Sequence, residues 1–260
     1  MNSEADGKLV SALVRGVSIL QCFNNKQQEL SGKELMDLTG LPKPTLFRLT
    51  ETLCELGLLR YSERLSKYVL GIGVLNLASP LLSRMTVRQF ARPQMQELAN
   101  YMGGQIQLAV GEGRRLVLAE LANGMDNKVF TPEIGVAVSL VRTATGRAYL
   151  LGQSEAERQA YLDELDGRAP ERAALLRERL DDARQDLALH GFCRSHGDLH
   201  REILSIAVPL SQPIDGERWV FGASVPTYNP KSRELETDIG PRLVTLVRSL
   251  EGLIGTSSLS

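Results

Sequence analysis

The side chains best suited to bonding phosphates and base edges lie between residues 43 and 67. Lys43, Thr45, Phe47 and Arg48 fall at the start of an amphipathic segment, and Pro44 sits among them where its missing N–H costs a helix nothing. Arg48 can meet a guanine edge with two parallel N–H bonds or clamp a phosphate. Thr45 can bond a phosphate, the helix start adds backbone donors, and Phe47 can pack on a thymine methyl. Arg60, Arg64 and Lys67 follow on a short hairpin pattern. Five basic residues face three acidic ones over 43–67, whereas residues 1–75 hold nine against eight and the whole chain has a formal net charge of -1. The positive bias is therefore local and gathers where a nucleic acid would be read. The alternative is a solvated face on a module that contacts a protein.

A second cluster, His190, Cys193, His196, Asp198 and His200, contains all three histidines. Cys193-x2-His196-x3-His200 can be read as metal ligands if the loop folds back on itself. The plainer reading is a polar loop beside a pocket, because structural metal sites draw on two separated ligand pairs. No metal or cofactor is assigned. Enzymatic signatures are missing: there is no GxSxG, HExxH or Walker A sequence, and Gly71-x-Gly73 has Asn76 where a dinucleotide site needs a third glycine.

The elements that position the first cluster follow from periodicity. Val10, Leu13, Val14, Val17, Leu20 and Phe23 recur at three- and four-residue steps and predict a helix with one apolar stripe. Ser31-Gly-Lys-Glu34 is a capping box opening a second helix, with Leu35 and Leu38 expected inward and Gly40 as its stop. The third helix runs to about Leu56, with Leu46, Leu49, Leu53 and Leu56 as its expected buried side. Two short strands, 58–61 and 67–70, complete a winged helix-turn-helix.

Residues 74–102 are expected to be helical. Beyond them, 106–110 and 116–121 flank Gly111-Glu-Gly113 as a hairpin, 136–141 is a further strand, and 143–153 begins a helix of small residues. A charged helix over 154–190, paired strands at 203–210 and 219–225, and a final helix over 233–254 beginning or kinking at Pro241 complete an α+β domain. The expected division is a disordered tail at 1–8, a DNA-binding domain at 9–73, a linker helix at 74–92, an effector domain at 93–254 and a tail at 255–260.

The chain has 260 residues, 43% of them hydrophobic, ample for two cores. Three unpaired cysteines, a polar start and no apolar run of about 20 residues lead to the expectation of a cytoplasmic protein without disulfides or a membrane span.

Leu13-Val-Arg-Gly-Val-Ser-Ile-Leu20 with Phe23, Thr39-Gly-Leu-Pro-Lys43, Arg48-Leu49 and Tyr68-Val-Leu-Gly71 resemble the DNA-binding domain of IclR-family regulators. Thr143-Ala-Thr-Gly-Arg-Ala148, Ser205-Ile-Ala-Val-Pro209 and Gly222-Ala-Ser-Val225 resemble the family's effector domain, and the likeness spans about residues 9–254. Pro44 stands where the family usually has serine or alanine.

The resemblance implies a homodimer or dimer of dimers on a near-palindromic double-stranded operator. It also implies a GAF- or profilin-like effector domain with an antiparallel sheet, and a small organic or aromatic acid as effector. Repression is the expected sense, although the family contains activators too. The positions matching the family's ligand site are Ala144, Thr145, Gly146, Ser205 and Ser224, with Ile203 as an apolar wall and Arg142 adding charge. An acidic contact of some members falls at Ser195, three residues before Asp198. Hydroxyls and helix-start N–H groups suit a carboxylate; equally, small residues let a helix approach a sheet.

Overall fold

In the computed structural model, which describes residues 9–125 and 132–257, the capping box starts the second helix as expected. Glu34 N donates to Ser31 Oγ, and Ser31 N donates to Glu34 Oε2 at 2.8 Å. The N-terminal elements are α1 (Ser11–Leu20), β1 (Glu29–Leu30), α2 (Gly32–Thr39), α3 (Lys43–Glu55), β2 (Leu59–Ser62), β3 (Lys67–Leu70) and α4 (Gly73–Arg84). The strands form a small antiparallel sheet in the order β1-β3-β2. Ile19, Phe23, Leu30, Leu35, Leu46, Leu53 and Leu59 make the core beneath it.

Much of the apolar stripe of α1 and two residues expected inward lie exposed. Val10, Leu13, Val14 and Val17 are exposed, and α1 instead turns Gly16 and Ile19 inward. Leu38 and Leu56 are also exposed. Periodicity shows that a helix has an apolar side, but not that the same chain covers it. The strand β1 was not expected; at two residues it carries no periodic signal.

At Arg84 and Met85 the chain passes from one compact unit to the next. The helix expected over 74–102 is two, α4 and α5 (Thr86–Met102), parted at Met85, so the linker helix expected over 74–92 is interrupted there.

The second unit continues with β4 (Gln105–Glu112), β5 (Arg115–Asn123), α6 (Ala144–Leu151), α7 (Glu155–Arg168) and α8 (Pro170–His190). After these come β6 (Cys193–His196), β7 (Ile203–Pro209), β8 (Arg218–Pro226) and α9 (Gly240–Ser257). A 3-10 turn (Pro230–Glu234) and a π turn (Leu235–Ile239) precede α9, so the last helix is irregular before Pro241 and regular after it. It runs to Ser257, into the expected tail; residues 1–8 and 258–260, also expected as tails, lie outside the described residues.

The five strands form one antiparallel sheet in the order β5-β4-β8-β7-β6. The strand expected over 136–141 is absent. That segment runs along β5, giving Leu118 N to Val136 O at 2.9 Å and Val138 N to Leu116 O at 2.8 Å, yet forms only the single bridge Val117–Ala137 before turning into α6. The helix expected over 154–190 breaks between α7 and α8, because Pro170 has no N–H to continue the ladder.

Side chains alternate across the sheet. Ile106, Leu108, Ile206, Val208, Phe221 and Ala223 are buried on the face that meets α5 and α9. On the opposite face Ala109, Cys193, Ala207 and Val220 pack with α6, α7 and α8. Further along this second face, α6 to α8 no longer cover the strands, and a cavity opens there.

Candidate functional sites

In the N-terminal unit, α3 buries Leu46, Thr50 and Leu53 and turns Lys43, Pro44, Phe47 and Arg48 outward, with Thr45 half-buried. Lys43 Nζ lies 5.8 Å from the Phe47 ring centroid. No side chain caps α3, since Pro42 stands at the cap. The N–H groups of its first turn are therefore left for an outside acceptor, and the helix dipole favours an anion there. Arg60 and Arg64 are exposed on the β2–β3 hairpin, while Lys67 lies 3.8 Å from Glu34. The hairpin is tied to the helix: Thr50 Oγ1 lies 3.3 Å from Tyr68 Oη, and Tyr68 meets Tyr61 edge-on at 5.1 Å. The start of α3 thus exposes Lys43 and Arg48, and the hairpin packed against this helix exposes Arg60 and Arg64.

The second unit contains a cavity of about 670 Å³. Its floor is a register row: Gln105 of β4 pairs with Ser224 of β8, Ser224 with Ser205 of β7, and Ser205 with Ser195 of β6. Leu118, Val136, Val138, Ile203 and Pro226 supply apolar walls. Arg142, one residue before the α6 cap, also faces it; its Nε donates to the Asp198 carbonyl at 3.1 Å and its Nη2 to that of Leu199 at 2.8 Å.

Of the residues singled out for the effector, Arg142, Ser195, Ile203, Ser205 and Ser224 line this cavity. Ala144, Thr145 and Gly146 are buried in α6 and are not among its lining. They let the helix approach its neighbours. A Cβ on Gly146 would stand 2.2 Å from the Ser139 carbonyl oxygen, and one on Gly222 would stand 2.8 Å from Thr145 Oγ1. Thr143 is the α6 cap and accepts from Gly146 N at 2.9 Å. Gln105, Gln107 and Tyr228 also line the cavity and were not singled out. The signal for the glutamines was present: polar residues at alternate positions of an otherwise apolar strand point to one face of a sheet.

Asp198 anchors the loop beside Arg142. Its carboxylate accepts from Ser195 Oγ at 2.9 Å and forms an ion pair with the fully buried Arg147, also at 2.9 Å, and Arg179 lies 3.5 Å away. The residues considered as metal ligands are dispersed. Cys193 is buried against α8, where desolvation pushes its thiol up to about 12 despite Arg147 nearby. His196 pairs with Glu236 at 3.0 Å, and His200 lines the cavity. Among the described residues no three His, Cys, Asp or Glu side chains come together as a metal set.

Comparison with known proteins identifies both domains. Residues 12–63 match the family model of the IclR helix-turn-helix domain, and residues 80–247 match that of the bacterial transcriptional regulator IclR C-terminal domain. The chain belongs to the IclR family. It is 28% identical to the HTH-type transcriptional regulator TsaQ1/TsaQ2 of Comamonas testosteroni, over 95% of this chain and 90% of that one. The crystal structure of an IclR-family transcriptional regulator from Brucella abortus superposes with a TM-score of 0.83 at 36% identity, covering 98% of this chain and 96% of that one. An IclR homologue from Microbacterium hydrocarbonoxydans, crystallised with 4-hydroxybenzoate, shares the fold at a TM-score of 0.69 and 22% identity, covering 92% of this chain and all of that one. The protein is therefore a transcriptional regulator, not an enzyme, with a DNA-binding helix-turn-helix domain and an effector-binding domain. Among the described residues no helix is long and apolar enough to cross a membrane.

Proposed function

We propose that the protein represses transcription by binding a near-palindromic operator as a homodimer or dimer of dimers, and that a small organic acid in the second unit changes its grip on DNA. The α3 face with Lys43, Thr45, Phe47 and Arg48 enters the major groove, and Arg60, Arg64 and Lys67 contact the flanking backbone. Pro44 helps start that helix without offering a donor.

The observation that carries the effector reading is the cavity itself. Apolar walls surround a row of serine hydroxyls, and the guanidinium groups of Arg142 and Arg201 line the same space. Hydroxyls and a guanidinium fix the orientation of a carboxylate, and the apolar walls favour a carbon framework beside it. The shared fold of the 4-hydroxybenzoate-bound homologue makes that acid a reasonable first probe.

Dimerisation is supported by apolar side chains left outside on the first unit: Val10, Leu13 and Val14 at α1, and Ile72, Leu75 and Leu77 at and beside the start of α4. Two recognition helices on successive turns of DNA read a palindrome, and an effector that favours one spacing of those helices shifts occupancy by ~1–3 kcal/mol. The test is anisotropy of a labelled operator fragment titrated with the protein, with and without a panel of aromatic and aliphatic acids. A several-fold loss of affinity with one acid fits a repressor released by its effector. Affinity unmoved by any acid while the acids bind the protein counts against the coupling.

A further inference from the structure

The serine hydroxyls along the cavity floor differ in what they can still offer a ligand. A serine has one hydrogen to donate and lone pairs with which to accept. Ser195 Oγ lies 2.9 Å from Asp198 Oδ2. That carboxylate is in ion pairs with the buried Arg147 at 2.9 Å and with Arg179 at 3.5 Å, and an ionised carboxylate only accepts. The hydrogen between the two residues is therefore the serine's. Asp198 is not part of the cavity wall. With Arg147, Arg179 and Asp186 it lines a separate polar hollow of about 250 Å³, and Ser195 borders both spaces. The hydrogen of Ser195 is thus directed into the hollow, away from the cavity.

Ser224, two strands away along the same floor, is disposed the other way. It accepts from Gln107 Nε2 at 3.4 Å and keeps its own hydrogen to donate. Arg142 and Arg201, exposed residues of the lining, donate and never accept. A carboxylate in the cavity therefore finds donors at Arg142, Arg201 and Ser224 but none at Ser195. To gain one there it would have to take the hydrogen from Asp198, which exchanges one carboxylate partner for another. A group with an O–H or N–H to give meets a waiting acceptor instead. Ser195 is 5% exposed, so bulk water does not compete freely for that oxygen. Glu202, a carboxylate acceptor in the same lining, is exposed to water.

We propose that Ser195 is a specificity residue that accepts a hydrogen bond from the effector. The effector is then an acid with a second polar group, a hydroxyl or an amino group, that donates to Ser195 while its carboxylate is held elsewhere in the cavity. This rests on the reading of the cavity as a carboxylate site.

The test is calorimetric titration of the full chain with hydroxy acids and their fluoro counterparts, because fluorine is close to a hydroxyl in size and has no hydrogen to give. The pairs are 3- and 4-substituted benzoates and 2- and 6-substituted hexanoates. In at least one pair the hydroxy acid binds about tenfold tighter or more, as a site built to bond a hydroxyl should prefer it. In Ser195→Ala that ratio collapses toward one while the fluoro acid keeps its affinity, and this retained binding shows that the variant is folded. Glu202→Ala leaves the ratio standing. The assignment of Ser195 is overturned by equal affinity within every pair for the unaltered protein, by a ratio that survives Ser195→Ala, by a parallel loss of both acids in that variant, or by a ratio that collapses in Glu202→Ala. Binding of none of the acids overturns the carboxylate reading itself, and this inference with it.

Discussion

Asp198 holds together three parts of the effector-binding domain from within a loop. Its carboxylate meets Ser195, Arg147 and Arg179, and its carbonyl accepts from Arg142. Arg147 is 1% exposed, so removing that carboxylate takes an ion-pair partner from a buried charge. Asp198→Ala is expected to lower the unfolding free energy by about 3 kcal/mol, the low end for breaking a buried pair, because Asp198 itself keeps some solvent contact. Urea unfolding checks it; a loss below ~0.5 kcal/mol would mean that the Val141 and Arg194 carbonyls satisfy Arg147 without it. At this scale the resemblance to the family pointed to the serines of β7 and β8, and Arg142 was added for its charge. It passed over Gln105 and Gln107, because a polar residue in a strand reads as solvent-facing until the neighbouring strands are known. Nor could it separate two uses of small residues: Ala144, Thr145 and Gly146 pack a helix, whereas Ser205 and Ser224 face a cavity.

Helix α6 connects the cavity to the core because its first turn lies directly on the chain that precedes it. At Gly146 there is no room for a methyl group: the Ser139 carbonyl oxygen would lie 2.2 Å from it and Leu140 Cα 2.5 Å. Gly146→Ala must push α6 and the 139–143 segment apart, costing about 1–3 kcal/mol and displacing Arg142. A thermal melt together with an acid titration tests this, and an unchanged melting temperature would contradict the close approach. Elements with strong local signals were legible. These include α2 from its capping box, the β4–β5 hairpin from Gly111-Glu-Gly113 and the β7–β8 pair from two apolar runs around Asp215-Gly216. Strand β1 was not, since two residues carry no period, nor was β6, whose mostly polar Cys193–His196 reads as a loop. The segment at 136–141 has the apolar run of a strand and the hydrogen bonds of one edge, but it turns away after one bridge. The break at Pro170 was readable from the proline alone and was masked by the charge pattern around it.

Over the whole chain, two kinds of surface stand out: cations gathered on α3 and its hairpin, and apolar side chains exposed on α1 and near the start of α4. The account requires the second to be covered by another copy, because patches of this kind on a lone protein favour association. Leu13→Glu combined with Leu75→Glu is expected to give monomers by light scattering where the unaltered chain gives dimers or tetramers, and to weaken operator binding at least tenfold by removing the paired half-site. An unaltered chain that is already monomeric on its operator would contradict this. The α1 stripe was legible in the sequence but what covers it was not, which is the general limit of periodicity: it reports an apolar face and not the partner. The central claim is that α3 reads DNA, and the most direct measurement compares the unaltered protein with Arg48→Ala by anisotropy, on DNA from just upstream of the gene and on scrambled DNA, at two salt concentrations. Arg48 is exposed, so its loss should leave the fold and acid binding intact. The account predicts tight, salt-sensitive binding to one short palindrome, lost to the non-specific level in Arg48→Ala. Equal affinity of the two proteins for the palindrome would contradict it.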